Sequence, residues 1–307
     1  MDPKIVEFAE QMPATDRDLE ALKAQQQPAS ADDPGQQKKK GRPPVVGEAS
    51  KFTGPDPELA ARISDLILAG GPASLIDLIS LIHAPGEPEF KNYKAEYLLH
   101  CVILRAGRPG ETSARKLVVD TLASQLSNEQ ISKKVRGLLV RELQWIGDAS
   151  AAPALAKLIE DEELGMFAVS ALVAFGGTGE WLRSALAKSK GLVRLALVQN
   201  LGVVRDAKAT EVLRQAMTDE DREVRLAAGW SLANLGEASA LDLLLKAADT
   251  EAAYERIKAT QACLVLAEKL TASDHKDEAK RIYTHLRDTR KDKSESYIRE
   301  LAEKALG

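Results

Sequence analysis

The sequence has few of the residues that build disulfide frameworks or metal centres. Its 307 residues include two cysteines, Cys101 and Cys263, and four histidines. The two cysteines lie far apart in apolar segments, which predicts buried thiols rather than a disulfide. No arrangement of cysteine and histidine has the spacing of a zinc site. We therefore expect no metal and no other cofactor.

Other absences exclude further classes of protein. No stretch approaches the roughly 18 apolar residues of a membrane helix, and the first residues lack the apolar core of a signal peptide. Phosphate-binding glycine loops and the G-x-S-x-G nucleophile motif are also missing. A net charge of −4 gives no general attraction to nucleic acid or to an acidic membrane. These absences favour a cytoplasmic protein that is not an enzyme.

The second half of the chain contains a repeat with a step of about 30 residues. Four segments open at Val135, Leu164, Val193 and Val224. Counting the opening residue as position one, positions five, nine and twelve are again apolar, and position nine is always leucine. These positions lie on one face of a helix. A fifth repeat is expected at Ile257-Lys258 and a last half-repeat at Ile298-Arg299. A period of this kind predicts stacked helical pairs.

Position thirteen is glycine in three of the four repeats. Gly147, Gly176 and Gly236 suit the left-handed conformation that ends a helix. Arg205 occupies this position in the third repeat. The turn at Arg205 is therefore expected to differ from the glycine turns of the other repeats or to be strained.

Composition divides the chain into two parts. Residues 1–54 carry a short amphipathic segment, Lys4 to Met12, followed by a stretch with almost no large apolar residue. Such a stretch cannot offset the entropy of ordering, and we expect a disordered N-terminal arm. Asp56-Pro57 has the form of a helix start. Residues 55–307 are predicted to form an all-α fold, an α-solenoid of about six helical pairs.

One segment carries a recognisable repeat motif. It comprises Val135-Arg136, Ile146-Gly147-Asp148 and Ala152-Pro153-Ala154-Leu155, and it resembles the short HEAT-like repeat of the phycobilisome lyases. The resemblance covers about residues 131–307. Residues 94–100 and 107–110 are similar to the leading part of uncharacterised bacterial HEAT-repeat proteins. The resemblance implies a HEAT- or armadillo-like superhelix. It implies no lyase activity, because the repeat motif holds no catalytic residue.

Charged residues recur in the repeats, with a base at position two in most repeats and an acid at position fourteen in three of the four; the second repeat has Gly165 and Gly177 there. One interpretation is a basic stripe that binds phosphates. We favour a structural ladder in which each base bonds a helix-end acid of the preceding repeat, because the acids recur in step with the bases. The predicted ladder comprises Arg136, Asp148, Arg194, Asp206, Arg225, Glu237, Lys258 and Arg299.

Trp230 is the candidate contact for a protein partner. It stands at position seven, outside the apolar positions of the repeat. A tryptophan at such a position either anchors an interface or covers a gap between repeats. Trp145 and Trp181 flank turns and are expected to pack there.

A basic stretch in the arm is the candidate contact for DNA. Lys40, Gly41, Arg42 and Pro43 resemble an AT-hook, in which Arg42 would enter the minor groove of A·T-rich DNA. Lys40 replaces the usual first arginine, and Pro44 follows where basic residues are usual. The alternative is a basic patch in a solvated linker.

Together these features favour a non-catalytic scaffold or adaptor that binds a protein or peptide on a concave face lined by the second helices of the repeats. Two alternatives stay open. One is a DNA-associated protein that uses the arm around Arg42, and the other is an enzyme accessory of the lyase or chaperone type.

Overall fold

The computed structural model describes residues 1–12, 56–251 and 253–307. Within these ranges the chain forms sixteen α-helices, four short 3-10 helices and no strand. It divides into two compact units, Met1–Leu138 and Leu139–Gly307. Most of the predicted arm lies outside the described residues, and so does its basic stretch, Lys40 to Pro43.

The first unit is built from five helices. Helix α2 packs against α4 and α3 packs against α5. The start of α2 is as predicted, since the Asp56 side chain accepts hydrogen bonds from the amides of Glu58 and Leu59. The helices are α1 (Pro3–Glu10), α2 (Pro57–Ala69), α3 (Gly71–Ser80), α4 (Lys94–Ala106) and α5 (Thr112–Gln125).

Helix α1 is part of the first unit, although the sequence assigned it to the arm. Its amphipathic pattern predicted the helix, but Ile5, Ala9 and Met12 are buried because α1 packs against α3 and α4. The Lys94 ammonium group also bonds the Glu10 carboxylate at 2.6 Å. Residues 1–12 therefore belong to the same compact unit as α2 to α5.

The second unit is an array of helical pairs. We call α6, α8, α10, α12, α14 and α16 the first helices, and α7, α9, α11, α13 and α15 the second helices. The helices are α6 (Lys133–Ile146, which begins before the unit boundary), α7 (Ala152–Ala156), α8 (Gly165–Phe175), α9 (Gly179–Leu186), α10 (Gly191–Val203), α11 (Thr210–Ala216), α12 (Arg222–Leu235), α13 (Leu241–Ala248), α14 (Ala253–Ala272), α15 (Lys276–Thr289) and α16 (Ser296–Leu306). Successive first helices from α8 to α14 pack side by side. The predicted α-solenoid of helical pairs is confirmed.

The repeat positions are buried as the period predicts. Positions five and nine are 0% exposed in all four matched repeats. Position twelve is fully buried at Ile146 and half-buried at Phe175, Val204 and Leu235. Leucine and alanine at positions five and nine therefore form the contact between helices on which the array depends.

One of the three glycines at position thirteen adopts the expected left-handed conformation. Gly236 has φ 74° and ψ 29°, whereas Gly176 has a positive φ of 69° but a ψ of 160°, which lies outside the left-handed helical region. Arg205, which replaces glycine, has φ 51°, a region that non-glycine residues occupy at a cost. Gly147 is different, because it does not have a positive φ. A Cβ atom there would lie 2.5 Å from the Phe175 ring, so the glycine serves close packing instead.

The fifth repeat begins two residues later than predicted. Ile257, the expected opening residue, is 48% exposed, whereas Ala259, Cys263, Ala267 and Leu270 are buried. Ala259 thus takes position one, 35 residues after Val224. This shift turns Ile257 and Lys258 away from the core.

Candidate functional site

Exposed apolar side chains are concentrated on the first helices. Within the described part of the second unit, every large apolar side chain that is exposed belongs to a first helix. They are Trp145 on α6, Met166 and Phe167 on α8, Leu192 and Val203 on α10, Trp230 on α12, Tyr254 and Ile257 on α14, and Tyr297 and Leu301 on α16. We call this set the first-helix face.

Most of these residues lie at four positions of the repeat that share one side of the helix. Leu192 and Tyr297 immediately precede position one, and the others include Phe167 at position four, Trp230 at seven and Trp145 at eleven. At about 100° per residue, positions zero, four, seven and eleven fall within an arc of about 60°. This arc lies roughly opposite to positions five and nine, so each first helix has a buried apolar face and a second, exposed one.

This distribution differs from the expected location of the binding surface. The sequence placed the surface on the second helices, but no large apolar side chain is exposed on α7, α9, α11, α13 or α15 in the described residues. Exposed apolar area is one mark of an interaction surface. The first helices are therefore the better candidates.

One of the three tryptophans, Trp145, differs from its predicted environment. Trp230 is 46% exposed, as a partner contact requires, and Trp181 is half-buried. Trp145 was expected to pack at a turn but is 71% exposed, because position eleven lies on the exposed face of its helix.

Trp230 lines a groove between three first helices. This groove, which we call the tryptophan groove, has a volume of about 340 Å³. Helix α12 places Glu223, Ala227 and Trp230 on one face at spacings of four and three residues. Helix α14 does the same with Tyr254, Lys258 and Gln261. The complete lining is Gln199, Glu223, Leu226, Ala227, Trp230, Tyr254, Lys258 and Gln261.

The Tyr254 ring lies close to two cations. The Arg222 guanidinium carbon lies 5.0 Å from the ring centroid, and the Lys258 Nζ lies 5.9 Å from it. Both distances are within the range of cation–π attraction. The Tyr254 hydroxyl donates to the Glu223 carboxylate at 3.2 Å. The ring is thereby fixed, although it is 46% exposed.

The groove changes the interpretation of Lys258. The sequence placed Lys258 in the ladder at position two, but the later start of the fifth repeat gives that position to Thr260, which is buried. Lys258 instead lies on the exposed face of α14 and lines the tryptophan groove.

The arginines at position two share a different partner from the predicted one. Each donates to a backbone carbonyl that precedes its own helix. The pairs are Arg136 to Leu126 at 3.4 Å, Arg194 to Leu186 at 2.7 Å, Arg225 to Asp219 at 2.9 Å and Arg299 to Arg290 at 3.5 Å. These bonds satisfy carbonyl groups at the end of the preceding helix or in the loop that follows it.

Two of these arginines also bond carboxylates that lie further along the chain. Arg194 bonds Asp219, in the loop before α12, at 2.6 Å, and Arg225 bonds Glu255 on α14 at 3.3 Å. Burial acts to raise the pKa of Asp219, but hydrogen bonds from the Asp221 amide and from Arg194 hold that pKa below its ordinary value.

The acids at position fourteen have other roles. Asp148 and Asp206 accept hydrogen bonds from the amides of Ser150 and Lys208, at 2.8 and 3.1 Å, and so cap short 3-10 helices. Asp206 also pairs with Arg183 of the preceding second helix, and Glu237 makes no side-chain capping bond. In the described residues Asp206 thus pairs with Arg183, while Arg225 pairs with Glu255.

Reactive groups are sparse in the part of the chain that the structure describes. No group of three metal-ligating side chains occurs there. Burial raises the pKa of both thiols, to about 12 for Cys263, which disfavours the reactive thiolate. No single described helix is long and apolar enough to cross a membrane; α2 and α3 meet that test only as a pair bent by 119°.

Comparisons with known proteins identify the repeat. Residues 179–264 match the family model for HEAT repeats, a range that contains every lining residue of the tryptophan groove. The sequence matches no curated protein.

Among solved structures, an engineered protein has 20% identity and a TM-score of 0.44, covering 81% of this chain and 73% of that chain. The complex of CpcE and CpcF of phycocyanin lyase from Nostoc sp. PCC7120 has 19% identity and a TM-score of 0.34, covering 79% of this chain and 98% of that chain. Human deoxyhypusine hydroxylase has 15% identity and a TM-score of 0.33, covering 81% of this chain and 97% of that chain. The family match and the helical pairs make this chain a HEAT-like repeat protein.

Proposed function

We propose that this chain is a non-catalytic scaffold or adaptor that binds a protein or peptide segment through the first-helix face, with the tryptophan groove as the main contact. The observation that carries the proposal is the concentration of exposed apolar side chains on the first helices. An array that needed only to be stable would place polar residues at these positions, because exposing apolar area favours association.

The composition of the groove supports a binding role. Tryptophan, tyrosine and arginine are the residues that contribute most to protein interfaces, and Trp230, Tyr254 and Arg222 lie together here. The Tyr254 ring is held in place by Glu223 and by its two cationic neighbours. A fixed side chain loses little conformational entropy when a partner binds.

The proposal is tested by affinity capture from a native lysate with the full chain and with Trp230→Ala. The matched control is Leu104→Ala, which removes a side chain of similar exposure, 53% against 46%, from the first unit. Loss of a central aromatic anchor costs about 2 kcal/mol, which corresponds to about 30-fold weaker binding.

We expect a protein that the wild-type chain and Leu104→Ala retain and that Trp230→Ala loses, whether or not the lysate is treated with nuclease. Equal capture by all three chains would refute the role of the groove. Capture that requires nucleic acid and survives Trp230→Ala would support the DNA-associated alternative and direct attention to Arg42.

A further inference from the structure

The tryptophan groove has an unequal distribution of charge. Glu223 is its lining acid, and both carboxylate oxygens are engaged: Arg222 Nε donates to Oε1 at 3.0 Å and the Tyr254 hydroxyl donates to Oε2 at 3.2 Å. Lys258 is the lining base, and it has neither an ion-pair partner nor a hydrogen-bond partner among the described residues. The positive charge of Lys258 is therefore the one that a ligand can neutralise.

We propose that the tryptophan groove recognises a peptide segment in which a large apolar side chain stands close to an acidic residue. This inference rests on the proposed function and specifies its ligand. The apolar side chain would lie against the exposed rings of Trp230 and Tyr254. The carboxylate would pair with Lys258, which lies beside the same Tyr254 ring. One short segment can make both contacts because both lie within a single groove of about 340 Å³.

Two amide side chains are available to form hydrogen bonds with the backbone of such a segment. Gln199 on α10 and Gln261 on α14 line the groove. Each primary amide both donates and accepts hydrogen bonds. Backbone groups that lose contact with water must find such partners, or binding is weakened.

The groove favours a peptide over a nucleic acid. Nucleic-acid binding depends on several cations that contact successive phosphates. The groove offers one unpaired cation and contains an acid, Glu223. Arg222 lies at its edge, but its charge is already paired with Glu223 at 3.0 Å.

The test is selection of a random twelve-residue peptide library on phage against the full chain, in parallel with Lys258→Glu, Trp230→Ala and the control Lys246→Glu. Lys246 is an exposed lysine on the second helix α13, so the control makes the same charge reversal outside the groove. Enriched peptides are then synthesised with a fluorescent label, and their affinities are measured by anisotropy at low and high salt.

We expect the wild-type chain and Lys246→Glu to enrich peptides with Asp or Glu within about three residues of a large apolar side chain. Lys258→Glu should bind these peptides about five- to tenfold more weakly, since an attraction is replaced by a repulsion at a partly exposed site. It should also select basic residues in place of the acids. The wild-type preference should weaken at high salt.

Other outcomes overturn the inference in distinguishable ways. Peptides that require Trp230 but show no acidic preference would refute the ligand class and leave the proposed function intact. A library that yields no peptide dependent on Trp230 would refute both. Binding of a labelled single-stranded oligonucleotide that Lys258→Glu abolishes, while the acidic peptides fail to bind, would assign the groove to nucleic acid instead.

Discussion

The close packing of α10 against α12 depends on a pair of small residues. We predict that replacing one of them with a larger residue lowers the stability of the second unit. Gly202 on α10 faces Ser231 on α12, whose hydroxyl donates to the Val198 carbonyl at 2.8 Å. A Cβ atom added to Gly202 would lie 2.5 Å from the Ser231 Oγ and 2.7 Å from its Cα. The Cα atom is backbone and cannot rotate away, so Gly202→Ala must push the two helices apart.

Two opposing effects determine the magnitude. In an exposed helix, alanine in place of glycine stabilises by roughly 0.5–1 kcal/mol. Forcing an extra methyl group into a packed interface costs typically 1–3 kcal/mol. The steric effect is the larger one here because Ser231 is 0% exposed and has no space to move. We expect Gly202→Ala to destabilise the second unit by about 1–2 kcal/mol.

Thermal unfolding followed by circular dichroism measures the effect. For a unit of this size the expected loss corresponds to a decrease in Tm of about 2–8 °C. Gly229→Ala in α12 is the control, because its added Cβ would meet the ends of flexible side chains, Leu244 at 3.0 Å and Met217 at 3.7 Å. If Gly202→Ala were as stable as the wild-type chain, the close approach of α10 and α12 described above would be incorrect.

Three further predictions concern separate parts of the second unit. Arg205→Gly should stabilise by about 0.5–1 kcal/mol, because glycine adopts the φ of 51° without strain; an unchanged or lower Tm would contradict this. Hydrogen bonds from Arg256 at 2.7 and 2.9 Å lower the pKa of Glu295 below 4.5. The pair therefore stabilises the fold above that pH and ceases to do so as the pH falls through the lowered value; urea unfolding of Glu295→Gln should show reduced stability at pH 7 and a flatter pH dependence in acid. Acrylamide should quench Trp145, which is 71% exposed, more strongly than Trp181, and Trp145→Phe should remove the most quenchable component of the fluorescence.

The sequence predicts the core of the array well because its signal is repeated. Leu143, Leu172, Leu201 and Leu232 occupy the same position in four repeats, and all four are 0% exposed. A periodic apolar pattern is set by helix geometry alone. No knowledge of distant contacts is needed to interpret it.

Partners of charged residues are harder to predict for a physical reason. Long arginine side chains reach any acceptor within several ångströms, and a carbonyl group at a helix end competes with a carboxylate. Arg194 bonds both the Leu186 carbonyl and the Asp219 carboxylate. The recurrence of bases and acids in the sequence predicted a structural ladder, but it could not indicate which of the available acceptors each arginine bonds.

The first-helix face could have been predicted from the sequence. Most of the exposed apolar residues lie at positions zero, four, seven and eleven, but each repeat uses a different subset, such as Phe167 in one and Trp230 in another. A search for the same residue type at the same repeat position misses this pattern, because successive repeats carry their exposed apolar residues at different positions of one helix face. A search for a helical face across all repeats would have placed Trp145 on the exposed side.

The tryptophan groove, by contrast, required the structure. Its second ring, Tyr254, precedes the opening residue of its repeat, and the step from Val224 to Ala259 is 35 residues, whereas the earlier steps are 29 to 31. With the shorter step, the repeat pattern predicts that Ile257 is buried and that Lys258 belongs to the ladder. The longer step rotates α14 so that Tyr254 and Lys258 face Trp230 across the groove. A local change in the period therefore places Lys258 in a candidate binding site rather than in the ladder, and irregular steps in helical repeats are places where such sites should be sought.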